Sequence, residues 1–206
     1  MSPTGGNVYP FDSLANAATN INSAVAGAPS GAVVLVHSGT YVLTNSLVIT
    51  NTLSIVGVDG ASATVLDGND RATCILSHHP ETLIEGLTVQ NGRGTYLTSS
   101  DGGGGIFMES GGVVRACTII HNRSSYYGGG IGFRVGYGLI DQCVIVSNVS
   151  ANYGGGVTLG NDSELRNSLV AYNHAENGGG VHSDGNTPKI HNSTLAFNEA
   201  VSAGGG

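Results

Sequence analysis

Four side chains that could bind an anion or transfer a proton recur at nearly equal intervals: Arg115, Asp141, Arg166 and His191. They are 26, 25 and 25 residues apart. Arginine holds a carboxylate bidentately, and an aspartate or a histidine can act as a general base. If this column faces outward, it could form a groove in which the arginines bind a uronate and Asp141 or His191 removes a proton. The alternative is a ladder of exposed ion pairs, because one column of charges does not make an active site.

Three tyrosines form a second candidate site, this time for carbohydrate. Tyr127 and Tyr153 stand directly before two successive glycine triplets, and Tyr96 lies in an insertion at 92–102. An aromatic side chain with an apolar body and a polar tip can stack on a sugar ring. We therefore predict a carbohydrate-binding row of tyrosines. The alternative is a column that only supports itself, since exposed aromatics need no special explanation.

Metal ligands are poorly represented. The segment Asp67-Gly68-Asn69-Asp70 is the nearest approach to a calcium loop, but it lacks the regular oxygen spacing of such a loop. Its composition is more typical of a turn. We expect no bound metal and no cofactor, and calcium has no further support.

These residues are spaced by an internal repeat. Glycine triplets occupy 103–105, 128–130, 154–156 and 178–180, each followed by Ile or Val, and a fifth lies at 204–206. A second marker keeps the same period of about 25 residues, an asparagine at Asn122, Asn148, Asn173 and Asn198, with an earlier one at Asn91. Two markers in one period indicate a repeat architecture.

Each repeat has room for three short strands and no helix. Alternation of apolar and polar residues after the triplets is typical of strands with one buried face. Stacked coils would bring equivalent residues above one another, so the asparagines would form a hydrogen-bonded ladder. We predict an all-β fold, a right-handed parallel β-helix of about 25-residue coils.

The rest of the chain fits one domain over 1–206. Residues 1–11 are an extended lead-in, 12–27 are predicted to form a capping helix, and the coils occupy 32–206. The C-terminal end lacks a capping sequence, which predicts a fragment of a longer protein or an end covered by a second copy. Apolar residues such as Val144 and Leu169 fall on an outward face and predict a self-association surface.

The segments 32–41, 47–49, 53–57 and 64–68 resemble the start of parallel β-helix proteins of the pectate-lyase-like superfamily. The glycine triplets and asparagine markers are similar to the repeats of polymorphic outer-membrane proteins of bacteria. This resemblance implies a secreted or cell-surface location, with the signal peptide removed, and a polysaccharide or surface glycan as partner. It implies no single activity, because the superfamily includes lyases, hydrolases, adhesins and stalks.

Composition excludes two classes of partner. The net charge is −7, and Lys189 is the single lysine of the sequence. No basic stripe exists to neutralise nucleic-acid phosphates, and no apolar run is long enough to span a membrane. We predict a structural or adhesive module that presents a carbohydrate-contacting face. One alternative is a lyase or hydrolase acting on acidic glycans, which is disfavoured because the sequence contains no clustered set of acidic residues. The other is a self-assembling filament subunit.

Overall fold

The computed structural model describes residues 1–9, 11–95 and 102–205. Each strand pairs in parallel with the equivalent strand of the next coil. Near the start, Ala32–Val36 pairs with Leu53–Gly57, and near the end, Leu169–Ala171 pairs with Thr194–Ala196. About seven coils result, and four sheets run along the stack. The predicted parallel β-helix is confirmed.

Two sheets contain seven strands each. Sheet A consists of β1 (Ala32–Val36), β4 (Leu53–Gly57), β7 (Leu83–Glu85), β11 (Gly112–Arg115), β15 (Gly138–Asp141), β19 (Glu164–Arg166) and β23 (Lys189–His191). Sheet B consists of β2 (Gly39–Val42), β5 (Thr64–Asp67), β8 (Thr88–Gln90), β12 (Thr118–Ile120), β16 (Val144–Val146), β20 (Leu169–Ala171) and β24 (Thr194–Ala196).

Two further sheets complete each coil. Sheet C consists of β3 (Leu47–Ile49), β6 (Ile75–Ser77), β10 (Ile106–Met108), β14 (Ile131–Phe133), β18 (Val157–Leu159) and β22 (Val181–Ser183). Sheet D consists of β9 (Arg93–Gly94), β13 (Arg123–Ser124), β17 (Val149–Ser150), β21 (His174–Asn177) and β25 (Glu199–Ala203). The later coils therefore carry four strands and not the three predicted, because the residues after each marker asparagine also pair between coils.

A column of aliphatic side chains from each large sheet fills the interior. In sheet B, Ile119, Ile145 and Val170 are fully buried, whereas Val144 and Leu169 point to the outside. This alternation follows from the two-residue period of a strand. Burying each such side chain contributes roughly 1.5–3 kcal/mol.

The N-terminal helix is shorter than predicted. Helix α1 spans Ile21–Gly27, and the Asn20 side chain caps it by accepting a hydrogen bond from the Asn22 N–H. The prediction of a helix from residue 12 was wrong, because the backbone from 15 to 17 bonds to the lead-in instead. The N–H of Gly6 donates to Ala15 and that of Asn7 donates to Ala17.

Two corners of each coil are turned by single residues with positive φ. After sheet A these are Gly86, Ala116, Gln142, Asn167 and Asn192, and after sheet B they are Asn91, His121, Ser147, Tyr172 and Phe197. The left-handed conformation costs a residue other than glycine about 1–2 kcal/mol. Packing of the whole coil must offset this cost, since most of these residues are not glycine.

An asparagine ladder runs through the buried corner between sheets B and D. The side-chain amides of Asn122, Asn148 and Asn173 each donate to the Oδ1 atom of the next asparagine, at 3.1, 3.0 and 3.0 Å. Each Oδ1 also accepts the backbone N–H of the preceding asparagine, as Asn148 does from Asn122 at 3.0 Å. The ladder thus bonds both the side chains and the backbones of successive coils.

Asn91 lies outside this ladder. At its level the N–H of Gly92 donates to Asn122 Oδ1 at 2.8 Å, while Asn91 occupies the preceding corner with positive φ. If Asn91 is aligned with the later marker asparagines, the residues of its coil are therefore assigned one position away from their true partners. Val114 pairs with Ile84 and Arg115 with Glu85, so Glu85 belongs to the charged column of Arg115, and Ile84 belongs to the buried column.

The glycine triplets are required by the close approach of coils. Gly154 has a φ of +64°, and a Cβ atom on Gly155 would lie 2.3 Å from the carbonyl oxygen of Gly179 in the next coil. A Cβ on Gly156 would lie 2.9 Å from the Asn173 side-chain nitrogen. The triplet and the asparagine ladder therefore interlock.

No helix in the described residues is long and apolar enough to cross a lipid bilayer.

Replacing Asn148 by Ala should destabilise the fold strongly. The change leaves the Asn122 N–H and the Ile119 carbonyl without their partners in a buried corner. Each unsatisfied buried group costs about 1–3 kcal/mol, so we expect a loss of about 3 kcal/mol in urea unfolding. Asn152→Ala is the matched control, because its side chain makes one exposed hydrogen bond to Ser125. Equal losses for the two variants would contradict the role of the ladder.

Candidate functional site

The charged column lies on the outer face of sheet A and is joined by ion pairs. Arg115 Nη2 contacts the Glu85 carboxylate at 2.7 Å, and Arg166 Nη2 contacts the Asp141 carboxylate at 3.1 Å. Glu164 lies 3.7 Å from the same Arg166 guanidinium. The guanidinium groups that could bind a uronate are thus already engaged by carboxylates of the chain.

Asp141 is the most constrained member of the column. It is 6% exposed, and its second carboxylate oxygen accepts a hydrogen bond from the Asn167 side chain at 2.9 Å. The hydrogen bonds from Arg166 and then Asn167 hold the pKa of this carboxyl below its usual value. A carboxylate with a lowered pKa is a weak general base at neutral pH.

His191 stands at the end of the column, opposite Arg166 in the β-ladder, and is exposed. The structure thus places all four predicted residues on one face, with Glu85 and Glu164 beside them. Their geometry favours the ion-pair interpretation over the catalytic one.

The tyrosines form a compact aromatic cluster at the corner between sheets D and C. The rings of Tyr127 and Tyr153 are stacked, with centroids 5.9 Å apart and planes at 28°. Tyr126 meets both rings edge-on, at 4.5 and 5.4 Å. Parallel backbone bridges join Tyr127 to Tyr153 and Tyr153 to Asn177, so the coil period sets the ring spacing. Tyr96 lies outside the described residues.

The loop that carries these tyrosines folds back over the outer face of sheet C. Thr158 points outward from its strand yet is 1% exposed, because its hydroxyl accepts the Gly128 N–H at 2.9 Å and donates to the Tyr153 carbonyl at 3.1 Å. Phe107 occupies the same column and is also buried. These contacts fix the backbone on which Tyr127 and Tyr153 are mounted.

His182 extends the aromatic row by one coil. Its ring lies 4.6 Å from that of Tyr153, and burial lowers the pKa of the imidazole, an effect that Asp184 opposes. Burial, followed by the charge of Asp184 and the proximity of Tyr126, raises the pKa of Tyr127 to about 12. Both shifts favour the uncharged forms of Tyr127 and His182.

A surface cavity of about 360 Å³ opens beside this row. Tyr153 and His182 form its aromatic wall, and Asn177 and Ser183 supply polar groups. This open depression offers an aromatic wall and a few polar groups. The arrangement can stack a ring and hydrogen-bond its hydroxyls.

Sequence reasoning missed His182 and Asp184. Both follow the fourth glycine triplet, and His182 occupies the column of Phe107 and Thr158. This column could have been found by comparing the residues two positions after each triplet, but those residues differ in chemical type from coil to coil. Within the described residues, no group of three His, Cys, Asp or Glu side chains could hold a metal ion.

Comparison with known proteins adds one structural likeness. No protein-family model matches the chain, and no curated protein matches it. Among solved structures, the chain is similar to the pectin methylesterase from Aspergillus niger in its penultimately deglycosylated form. The TM-score is 0.43 and the identity 15%, covering 95% of this chain and 85% of that one. A likeness of this degree says nothing about the site, so the function must be argued from the geometry.

The Asp141 ion pair should make stability depend on pH in acid. Because the pKa of Asp141 is lowered in the folded state, its contribution is fully present above the unfolded pKa of about 3.9. It is lost as the pH falls from there through the folded pKa. We expect Asp141→Asn to lower the free energy of unfolding at pH 7 and to flatten its decline below about pH 4. Urea unfolding measured from pH 7 to pH 2 would check this, and parallel curves for the two proteins would contradict it.

Proposed function

We propose that this chain is a β-helix module that binds a carbohydrate over the row formed by Tyr127, Tyr153 and His182. The observation that carries the proposal is the stacking of Tyr127 and Tyr153 at the coil period, with the His182 ring 4.6 Å from Tyr153 beside a cavity with polar groups. Aromatic faces offer apolar area to the C–H faces of a sugar, and tyrosine hydroxyls offer hydrogen bonds at the rim. The binding needs no cofactor.

The ligand class follows from the charge of the row. Burial favours the uncharged forms of Tyr127 and His182, and the one carboxylate that acts on the pKa of both is Asp184. A uronate would be repelled by Asp184, and no arginine of the charged column lies free to hold it. An uncharged polysaccharide is therefore the expected ligand.

A binding role accounts for the site better than turnover does. Asp141 and both arginines of the charged column are held in ion pairs, so the acid–base groups predicted for a lyase or hydrolase are engaged in holding the sheet together. We place the module in the extracellular space or at a cell surface, where it would act as an adhesive or structural element on glycan.

A second candidate is lateral self-association through sheet B. Its outer face carries Val144 and Leu169, 39% and 37% exposed, beside the stacked rings of Tyr172 and Phe197 at the neighbouring corner. Adjacent exposed apolar side chains of this kind mark interaction surfaces. Assembly through this face would display many copies of the tyrosine row.

Replacing Tyr153 by Ala should weaken glycan binding about tenfold. Loss of one stacking ring removes roughly 0.5–1.5 kcal/mol beyond its buried area, and 1.4 kcal/mol is tenfold in affinity. Calorimetric titration with cello-, manno- and xylo-oligosaccharides would measure this, with oligogalacturonate as the acidic comparison. Tyr137→Ala is the control, since Tyr137 is an exposed tyrosine at another corner. The proposal fails if none of the neutral oligosaccharides binds, or if both variants lose affinity equally.

Leu169→Asp should abolish lateral association if sheet B is the contact face. A carboxylate on each copy would be buried without a partner. Light scattering over a concentration series should then show assemblies for the parent protein and monomers for the variant. Val135→Asp provides the matched control, because Val135 is an exposed apolar residue outside sheet B. A parent protein that stays monomeric throughout the series would rule out this candidate.

A further inference from the structure

A groove lies on the outside of the corner between sheets B and D, at the coil that contains Ser147. Ser147 follows β16 and occupies the same corner as His121 in the preceding coil and Tyr172 in the following coil. The three residues have φ values of +55°, +55° and +57°, so they share one left-handed conformation at the corner. A small serine between a histidine and a tyrosine leaves a gap of one side chain in this column.

The gap continues along the outer face of sheet D. Val149 lies between Arg123 and His174 in the β-ladder and is 44% exposed. Valine is again the smallest of the three residues, so Ser147 and Val149 form the floor of the groove. The longer side chains of the neighbouring coils form its walls: His121, Arg123, Tyr172 and His174.

Two of the wall side chains are held away from the floor by ionisable partners in more distant coils. The Arg123 guanidinium pairs with the Asp70 carboxylate, which lies two coils before it. The Nδ1 atom of His174 lies 3.6 Å from a Glu199 carboxylate oxygen in the following coil. Because the two contacts point in opposite directions along the stack, the groove between them is open without any rearrangement.

Tyr172 gives the groove an aromatic wall. Its ring is 61% exposed and stacks on Phe197 in the following coil, with centroids 5.1 Å apart and planes at 11°. Rings in this column therefore stack at close to the spacing of the coils, roughly 4.8 Å. Two such spacings, about 9.6 Å, separate the His121 and Tyr172 positions, and van der Waals contact takes about 3.5–4 Å on each side. The gap at Ser147 thus admits one ring, which would extend the existing stack.

This groove favours a sugar over a peptide. The backbone of its floor is bonded to both neighbouring coils: the Val149 N–H donates to the Asn122 carbonyl, and the Asn148 carbonyl accepts the His174 N–H. The floor therefore presents no free strand edge with which a peptide could pair. Recognition must come from the aromatic wall and the serine hydroxyl, and these complement the apolar face and the hydroxyls of a sugar ring.

The groove leads to the tyrosine row. Val149 and Tyr153 belong to the same coil, and four residues of extended chain span about 13 Å. Between them, Ala151 is exposed and small, and the Asn152 side chain is bonded to a carbonyl of the preceding coil. A polysaccharide seated on Tyr153 can therefore continue over Ala151 and Val149 into the gap at Ser147.

We propose that this groove is a second sugar-binding site, in which a sugar of the same polysaccharide stacks on Tyr172 over Ser147. The class of ligand rests on the function proposed above. A polysaccharide long enough to reach both the tyrosine row and the groove gains affinity, because its second contact forms within the complex. The groove thus makes the module selective for long chains over short oligosaccharides.

Ser147→Phe tests the proposal by filling the gap. Tyr172 and Phe197 show that an aromatic residue fits this corner at the same φ, so the variant should fold with its ring in the groove. Calorimetric titration with cello-, manno- and xylohexaose, and NMR titration with the corresponding disaccharides, would compare it with the parent protein. We expect the parent to bind a hexaose about tenfold or more tighter than its disaccharide. The variant should bind the hexaose at the level of the disaccharide.

Gln142→Phe is the matched control. Gln142 lies in the same coil at the corner after sheet A, with a φ of +56°, so this variant adds the same ring outside the groove and should leave hexaose affinity unchanged. Tyr172→Asn is a second test, because asparagine tolerates the left-handed conformation but offers no ring. It should lose the preference for the hexaose as well, and circular dichroism verifies that all three variants fold.

A preference for the hexaose that survives in Ser147→Phe, or that is absent from the parent protein, would overturn the groove proposal. Tyr153→Ala separates this failure from that of the tyrosine row. If Tyr153→Ala weakens binding and Ser147→Phe does not, the row stands and the groove proposal fails. If Ser147→Phe abolishes hexaose binding and Tyr153→Ala has no effect, the groove is the site and the row is not. If no saccharide binds, both proposals fail.

Discussion

The coil depends most on the hydrogen bonds of the asparagine ladder. Asn122, Asn148 and Asn173 each donate to the next asparagine and to a backbone carbonyl of the preceding coil, and Asn148 and Asn173 also accept from the preceding asparagine. These bonds lie in a buried corner, where a missing partner costs about 1–3 kcal/mol. The ladder fixes the height and the rotation of each coil relative to the next. A coil shifted by one residue would bury an unpaired amide and also turn its aliphatic column outward.

The corners transmit this register to the surface. Two residues per coil take positive φ, and the first glycine of the later triplets makes a third such turn. Because these turns fall at the equivalent position in each coil, the residues next to them lie above one another in successive coils. Tyr127 and Tyr153 are distant in sequence, but the backbone period places one above the other, and their rings stack.

The repeat made the fold predictable from the sequence. The candidate site was only partly predictable, because some residues depart from the repeat pattern. Period and alternation were enough to identify a parallel β-helix and to bring Tyr127 near Tyr153. They failed at Asn91, because Gly92 takes the ladder position with its backbone alone, and no residue type marks that substitution. They failed at the helix start, where pairing with the lead-in overrides an amphipathic pattern. His182 and Asp184 were missed because outward columns are free to change residue type from coil to coil.

That freedom distinguishes the outward positions of a coil from the inward ones. Inward positions must match the column above and below, so Ile119, Ile145 and Val170 are nearly interchangeable. The outward column of sheet C instead reads Phe107, Gly132, Thr158 and His182 in successive coils. Phe107 and Thr158 are buried in this column, whereas His182 is half-buried and lines the cavity beside Tyr153. The same backbone therefore presents a different outward surface in each coil, whereas its inward surface is nearly constant.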